Sequence, residues 1–236
     1  MMIDQGGMMN YRYLTHSVGG FIQQVAVCYV QRGYWFYVAG QIPAQKDPHK
    51  VDRHLLDKYD IDLSKFQRCR RKKEGQASVQ YIRYQDTFLL LATQGAHPFF
   101  VKEASIRDAR RFPIPLFGYS ISYRNGRALV SLDKETYRNL EAYFLHLALH
   151  RKADSLEQEF RKLPFDPYRP VYKQVLSVWK AVNERRKTAG FDLVPYSAIK
   201  TKRRIYRPFE SENAGKKAQI EEVVDLERDA VGGHSV

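Results

Sequence analysis

Two short stretches of the chain concentrate cationic side chains. Lys65, Arg68, Arg70, Arg71, Lys72 and Lys73 fall within nine residues, and Lys202, Arg203, Arg204 and Arg207 surround Tyr206. Ammonium and guanidinium groups neutralise phosphates and release their counterions, a term that dominates binding to nucleic acid. Tyr206 adds a flat ring on which a base could stack. These residues form the candidate binding set, and a merely solvated basic face would have the same composition.

Residues that could do acid–base or metal chemistry are sparser: His97, Tyr137, His146 and His150. His146 and His150 are four apart on an expected helix, which puts both imidazoles on one face. They lack the intervening Glu of a zinc protease, and no third ligand stands out, so the lone pair more simply belongs to a structural face. His97 follows an expected hairpin, in Gly95-Ala96-His97-Pro98. That position, with Tyr137 or Tyr143 downstream, resembles nucleases of the HUH type, which carry a His-x-His pair and a helical tyrosine. The His-x-His pair is absent here. A basic α+β chain in which His16, His54 or His97 lies near Tyr or Lys is also similar in class to the repeat-RNA-processing endonucleases of CRISPR systems. That resemblance implies metal-independent ribonuclease chemistry, although the glycine-rich loop of that family is missing.

Other chemistries find no motif. There is no Walker loop, dinucleotide fingerprint, nucleophile elbow or paired-cysteine zinc pattern. No cofactor and no metal is expected. Cys28 lies in an apolar run and Cys69 in a basic one, a pattern that gives no disulfide framework and suits a reducing, cytoplasmic setting. No apolar run is long enough to span a bilayer, so no membrane partner is expected.

Charge supports the binding set. The formal net charge is +13 over 236 residues. Residues 210–236 hold seven carboxylates against Lys216, Lys217 and Arg228, so the remaining body carries 36 basic and 19 acidic residues, a net of +17. The natural partner of such a body is a polyanion. Sixteen Tyr, thirteen Phe and two Trp are interleaved with this charge, as single-strand binders require.

The elements that must hold these residues read as an α+β chain. Three β-hairpins are expected, over residues 21–42 (broken at Arg32-Gly33), 79–93 (turning at Gln85-Asp86) and 117–132 (turning at Asn125-Gly126). Together they would form an antiparallel sheet, with ferredoxin-like or RNA-recognition-type sheets among the options. Helices are expected over residues 48–59, 99–110, 134–150, 155–162 and 170–188; residues 65–76 fit either a loop or a helix end. Residues 112–115 read as a linker. The expected organisation is a flexible leader (1–13), a hairpin-rich domain (14–162), a C-terminal helix with a basic arm (163–209) and an acidic disordered tail (210–236). In the run Tyr34, Trp35, Phe36 and Tyr37, alternation sends successive rings to opposite sheet faces. One face could stack bases, or both could be buried; Tyr81, Tyr84, Tyr119 and Tyr123 pose the same choice.

The expectation is therefore a cytoplasmic protein that binds RNA or single-stranded DNA, as an accessory or subunit of a mobile-element, defence or ribonucleoprotein system. The alternative is a small nuclease or strand-transfer enzyme.

Overall fold

The computed structural model describes residues 11–210; the leader up to residue 10 and the acidic tail from residue 211 lie outside the described residues. Seven helices and two antiparallel sheets make an α+β fold.

The first departure from expectation is at residues 18–32. Their β-branched and aromatic side chains favour a strand, yet they form helix α1 (Val18–Gln23), a π-helical segment (Gln24–Tyr29) and a 3-10 turn (Val30–Arg32). Ser17 starts the helix by accepting the Gly20 N–H at 3.1 Å. The buried residues come in pairs, Phe21-Ile22, Val25-Ala26 and Tyr29-Val30, repeating every four residues. In an α-helix such a stripe would drift by about 40° per repeat. The wider π turn absorbs part of that drift and keeps the stripe on the core. Gly33, at φ +97°, ends the segment in the left-handed region, so the Arg32-Gly33 break is a helix C-cap and not a hairpin turn.

Strand β1 (Phe36–Gln41) follows. It joins β2 (Val79–Tyr84), β3 (Thr87–Ala92) and the two-residue β4 (Arg107–Asp108) in one sheet of order β2-β3-β1-β4. Between β1 and β2 lie α2 (Pro48–Lys58) and α3 (Lys65–Lys73); α4 (Phe99–Lys102) precedes β4. The expected helix over residues 99–110 is thus one turn and a short strand. A second sheet holds β5 (Ile114–Leu116), β6 (Tyr119–Arg124) and β7 (Arg127–Leu132) in sequence order. The stretch read as a linker therefore supplies an edge strand. Two hairpins stand as expected, closing at Tyr84–Thr87 and Arg124–Arg127. Asn125 and Gly126 both take positive φ, +51° and +75°, as a two-residue type I′ turn demands.

Helices α5 (Lys134–Leu147), α6 (Ala153–Lys162) and α7 (Arg169–Thr188) follow, with α7 packed on β7 and α5, and a 3-10 turn (Tyr196–Ala198) comes after them. Val171, Val175, Val178 and Val182 of α7 enter the same core as α1 and the second sheet. Among the described residues no helix is long and apolar enough to cross a membrane.

Both faces of the four-stranded sheet are covered. Tyr37, Ile82, Leu89 and Leu91 pack toward residues 21–30. Val38, Tyr81, Leu90 and Ala92 pack under Leu55 and Leu56 of α2, Tyr59 at its C-cap and Phe99 of α4. A split arrangement with β3 between β1 and β2 is one element of ferredoxin-like sheets. The β-α-β-β-α-β order of the elements matches as well, but β4 has two residues, α4 has one turn, and residues 18–32 cover one face of the sheet.

One buried ionic network ties α2 to the sheet. Asp52 is fully buried and Arg83 is 5% exposed. Arg83 Nε and Nη2 donate to the two Asp52 carboxylate oxygens at 2.7 Å each, and the Tyr81 hydroxyl donates to Oδ1 at 2.6 Å. Burial, and then the Asp52 carboxylate, push the Tyr81 phenol far up, so it stays protonated and donating. Tyr11 and Tyr13, expected in a leader, run beside β2. Arg83 N donates to the Tyr13 carbonyl at 2.9 Å, and the Tyr11 hydroxyl donates to the Tyr81 carbonyl at 2.8 Å.

Candidate functional site

The basic run Lys65–Lys73 is a complete helix. Ser64 and Gln67 form a capping box: the Ser64 hydroxyl accepts the Gln67 N–H at 3.2 Å, and the Gln67 carboxamide accepts the Ser64 N–H at 2.7 Å. The signal was in the sequence as Ser64-x-x-Gln67. What sets α3 apart is that none of its residues is buried. Most helices in proteins owe their stability to packing of an apolar face; α3 is held by its cap and by ties at its flank. Arg68 donates to the Leu63 carbonyl, Arg70 pairs with Glu74 at 2.9 Å, and Arg71 pairs with Asp60. Lys65, Lys72 and Lys73 make no ion pair among the described residues. Phe66, on the same helix, is 85% exposed.

The arm over residues 201–209 is not a free arm. It crosses the first turn of α1, where the absence of a side chain at Gly19 makes room for it. A Cβ on Gly19 would lie 2.2 Å from the Tyr206 ring. Gln23 donates to the Tyr206 carbonyl at 2.8 Å, and His16 N donates to the Pro208 carbonyl at 3.2 Å. Arg203 lies over the Tyr168 ring at 4.9 Å. The Tyr206 phenol is pushed up to about 12, first by burial and then by Asp166. Tyr206 is therefore largely engaged by the protein itself. Lys202 and Arg204 remain exposed and make no ion pair among the described residues, while Arg207 pairs with Glu210 at 3.1 Å.

The end of the arm and the start of α3 meet at one cleft of about 800 Å³. Its wall along residues 24–32 carries Gln24, Cys28 and Arg32. Ser64, Gln67 and Arg68 at the start of α3, Arg12 before α1 and Phe209 at the end of the arm line the cleft as well. Tyr11, Tyr29, Tyr34 and Gln80 also line it. The Tyr11 hydroxyl accepts the Tyr81 N–H at 2.9 Å, and Gln80 Oε1, 2.9 Å away, competes with the Tyr81 carbonyl for its single proton. The Tyr29 and Tyr34 rings are 5.8 Å apart, tilted by 59°. Burial raises the Tyr11, Tyr29 and Tyr34 phenols; at Tyr34 the nearby Arg68 and Arg32 charges oppose it. Three arginines face a single lining carboxylate, Asp62, so the cleft is electropositive. Of its residues, sequence places Arg68 in the binding set, raises Tyr34 as a stacking ring and notes Cys28 in an apolar run. Arg12, Gln24, Arg32 and Gln80 come from separate elements, and no linear spacing links them.

The aromatics raised for stacking divide into buried rings and half-buried ones, the latter including Tyr34, Tyr84 and Tyr123. Tyr37, Tyr81 and Tyr119 are buried. Trp35 is half-buried under the Arg110 guanidinium, 4.4 Å from its ring, and Phe36 packs edge-on against Phe100.

His97 lies in a second cleft with Lys58, Tyr59, Asp60, Arg71 and Lys102. Its Nδ1 accepts the Phe99 N–H at 3.1 Å. A nitrogen that accepts carries no proton, so the neutral ring has its proton on Nε2. Burial first, then the Arg71 charge, lower the His97 pKa. The adjacent Tyr59 is buried, and its hydroxyl donates to Glu103, which also takes Lys58 Nζ at 3.0 Å. In this arrangement His97 caps the first turn of α4 and presents a donor, not a base. No second histidine and no residue of α5 lines this cleft.

The other candidates stay apart. His146 and His150 are exposed with rings stacked 4.7 Å apart, and His150 Nδ1 bonds the His146 carbonyl at 2.7 Å. Tyr137 is half-buried, its hydroxyl 3.3 Å from Glu141. Among the described residues no group of three or more His, Cys, Asp or Glu could hold a metal ion. No protein-family model matches the chain, and no curated protein matches it.

Proposed function

We propose that this protein binds RNA or single-stranded DNA through α3 and the neighbouring cleft, with no chemical step. The observation that carries this reading is a nine-residue helix with no buried residue and six basic side chains. A helix that contributes nothing to a core, yet is fully capped, is organised for its surface. That surface continues into a cleft with three arginines, and the body behind it has a net charge of +17. Phosphate neutralisation by Lys65, Lys72 and Lys73, aided by Lys202 and Arg204, supplies the affinity. Stacking on Tyr37, Tyr81 or Tyr119 is no part of the mechanism, because those rings are buried.

Two unpaired cysteines, Cys28 and Cys69, fit a reducing compartment, and we assign the protein to the cytoplasm. An accessory role in a larger nucleoprotein assembly, of a mobile element or a defence system, suits a chain that binds without cutting.

The test is fluorescence anisotropy with labelled single-stranded RNA, single-stranded DNA and duplex DNA over a salt series, with and without Mg²⁺, the products then run on a denaturing gel. Salt-sensitive binding of an intact single strand is expected. Cleavage of the strand would make the protein a nuclease, and absence of binding at low salt would overturn the proposal.

A further inference from the structure

Phosphate neutralisation needs only charge on a surface, but the cleft beside α3 has more than charge. Three rows run along residues 21–32 at a spacing of four. Two face the core, through Phe21, Val25 and Tyr29 and through Ile22, Ala26 and Val30. The third, Gln24, Cys28 and Arg32, faces the cleft. In a plain α-helix the third row would rotate away from the cleft just as the core rows would rotate from the core. The π segment keeps it in line, and π turns recur at functional sites for this kind of reason. The row gives the cleft a carboxamide at one end and a guanidinium at the other. The Tyr34 ring and the Gln80 amide share the lining.

Resting on the binding reading above, we infer that this cleft receives one unpaired nucleobase of a single strand, with the flanking phosphates on Arg12, Arg32 and Arg68. The volume of about 800 Å³ is ample for a base with its sugar and falls in the range of small-ligand sites. The half-buried Tyr34 ring, in the cleft lining, offers a stacking surface, and Gln24 offers both a donor and an acceptor to a base edge. The arginines stand on three separate walls: the segment before α1, the end of the 3-10 turn, and α3. From Arg68 the basic surface continues outward along α3, which gives a strand a path onward. A paired base would first have to leave its stack, so duplex is disfavoured.

Cys28 stands in the cleft-facing row and Cys69 on α3, so the two thiols report on the two parts of the surface separately. The experiment compares an oligonucleotide with a strand of equal length and charge made of abasic sugar phosphates, and with a free nucleoside monophosphate. Affinities are measured by anisotropy, and alkylation rates of Cys28 and Cys69 by mass spectrometry of the full-length protein. The base-bearing strand is expected to bind at least ~10-fold tighter than the abasic one, the scale of one base–aromatic stack. It alone is expected to slow alkylation of Cys28, while both strands slow Cys69. Equal affinity, or Cys28 left unprotected by a strand that does bind, would overturn the inference and leave the binding reading standing. Full protection of Cys28 by the free nucleotide, with no gain from a strand, would also overturn it. Failure of every strand to bind would remove the binding reading itself.

Discussion

Arg83 holds Asp52 in a two-point grip in which both donor–acceptor distances are 2.7 Å and neither residue is appreciably exposed to water. The pair joins α2 to β2, and with the Tyr81 hydroxyl it fully engages Oδ1. Removing one partner leaves the other charge buried and alone. Asp52→Ala is expected to destabilise the protein by about 3–5 kcal/mol. Replacing both by apolar residues, Asp52→Leu with Arg83→Met, should cost distinctly less. Urea denaturation midpoints of the two variants provide the check; equal losses would show that the pair is not the cause.

Acid should loosen the start of α4. The fold lowers the His97 pKa, so it favours the neutral ring. The stability that comes with this is present above the ordinary histidine value of about 6.5 and is lost as pH falls through the lower folded value. Protonation at Nδ1 removes the acceptor for the Phe99 N–H. The groups facing the ring are Arg71, Asp60, Lys102 and the Tyr59 carbonyl; the two cations add to the penalty. Melting temperature should therefore drop between neutral pH and about pH 5. His97→Asn, which keeps a capping acceptor without a titrating ring, should flatten that drop. Glu103 and Asp108, whose pKa values are lowered by hydrogen bonds against the pull of burial, lose their contribution only further down, below the usual carboxylate range. An unchanged pH profile in the Asn variant would exclude His97 as the sensor.

Binding should have a salt slope that α3 sets in large part. Changing Lys65, Lys72 and Lys73 together to alanine removes three exposed charges from a helix with no core role. For a single strand, the slope of log affinity against log salt should shrink by about 2. Circular dichroism should show the fold intact. A slope that stays the same would move the contact surface elsewhere.

Deleting residues 210–236 removes seven carboxylates and raises the net charge from +13 to +17. Association with a polyanion should tighten at low salt, and the difference should fade as salt screens it. Identical affinities of the two chains at low salt would show that the tail's charge is not felt at the site.

Gly19→Ala puts a methyl group into the Tyr206 ring, 2.2 Å from its nearest carbon. The arm must shift, and the variant is expected to lose about 1–3 kcal/mol and open the bonds after Arg203 and Arg204 to trypsin. A cleavage pattern like that of the parent chain would mean the ring yields without moving the arm.

The hairpins were legible because their turns carry their own chemistry. Asn125-Gly126 admits the two positive φ angles that a tight turn needs, and the runs beside it alternate. Residues 18–32 were not legible for the opposite reason. Val, Ile, Phe and Tyr at a four-residue spacing match neither the strand period nor the α period, and the Ser17 cap with packing into the shared core selects the helix. The Gly33 punctuation was seen, but the same residue serves a turn and a helix end. The basic stretches were read as charge, which they are; that Tyr206 would be clamped on Gly19 depends on a contact across 187 positions of sequence. The cleft joins Arg12, Gln24, Arg32, Arg68, Gln80 and Phe209, and nothing local records that meeting.

The bareness of α3 has a kinetic consequence. With no side chain anchored in a core, its turns can open and reclose without disturbing the rest of the molecule. Its amide hydrogens should exchange with solvent on a clock of their own, insensitive to the damage Asp52→Ala does to the whole fold. A bound strand would then lengthen the time between openings, acting as the missing half of a helix that otherwise has only one side.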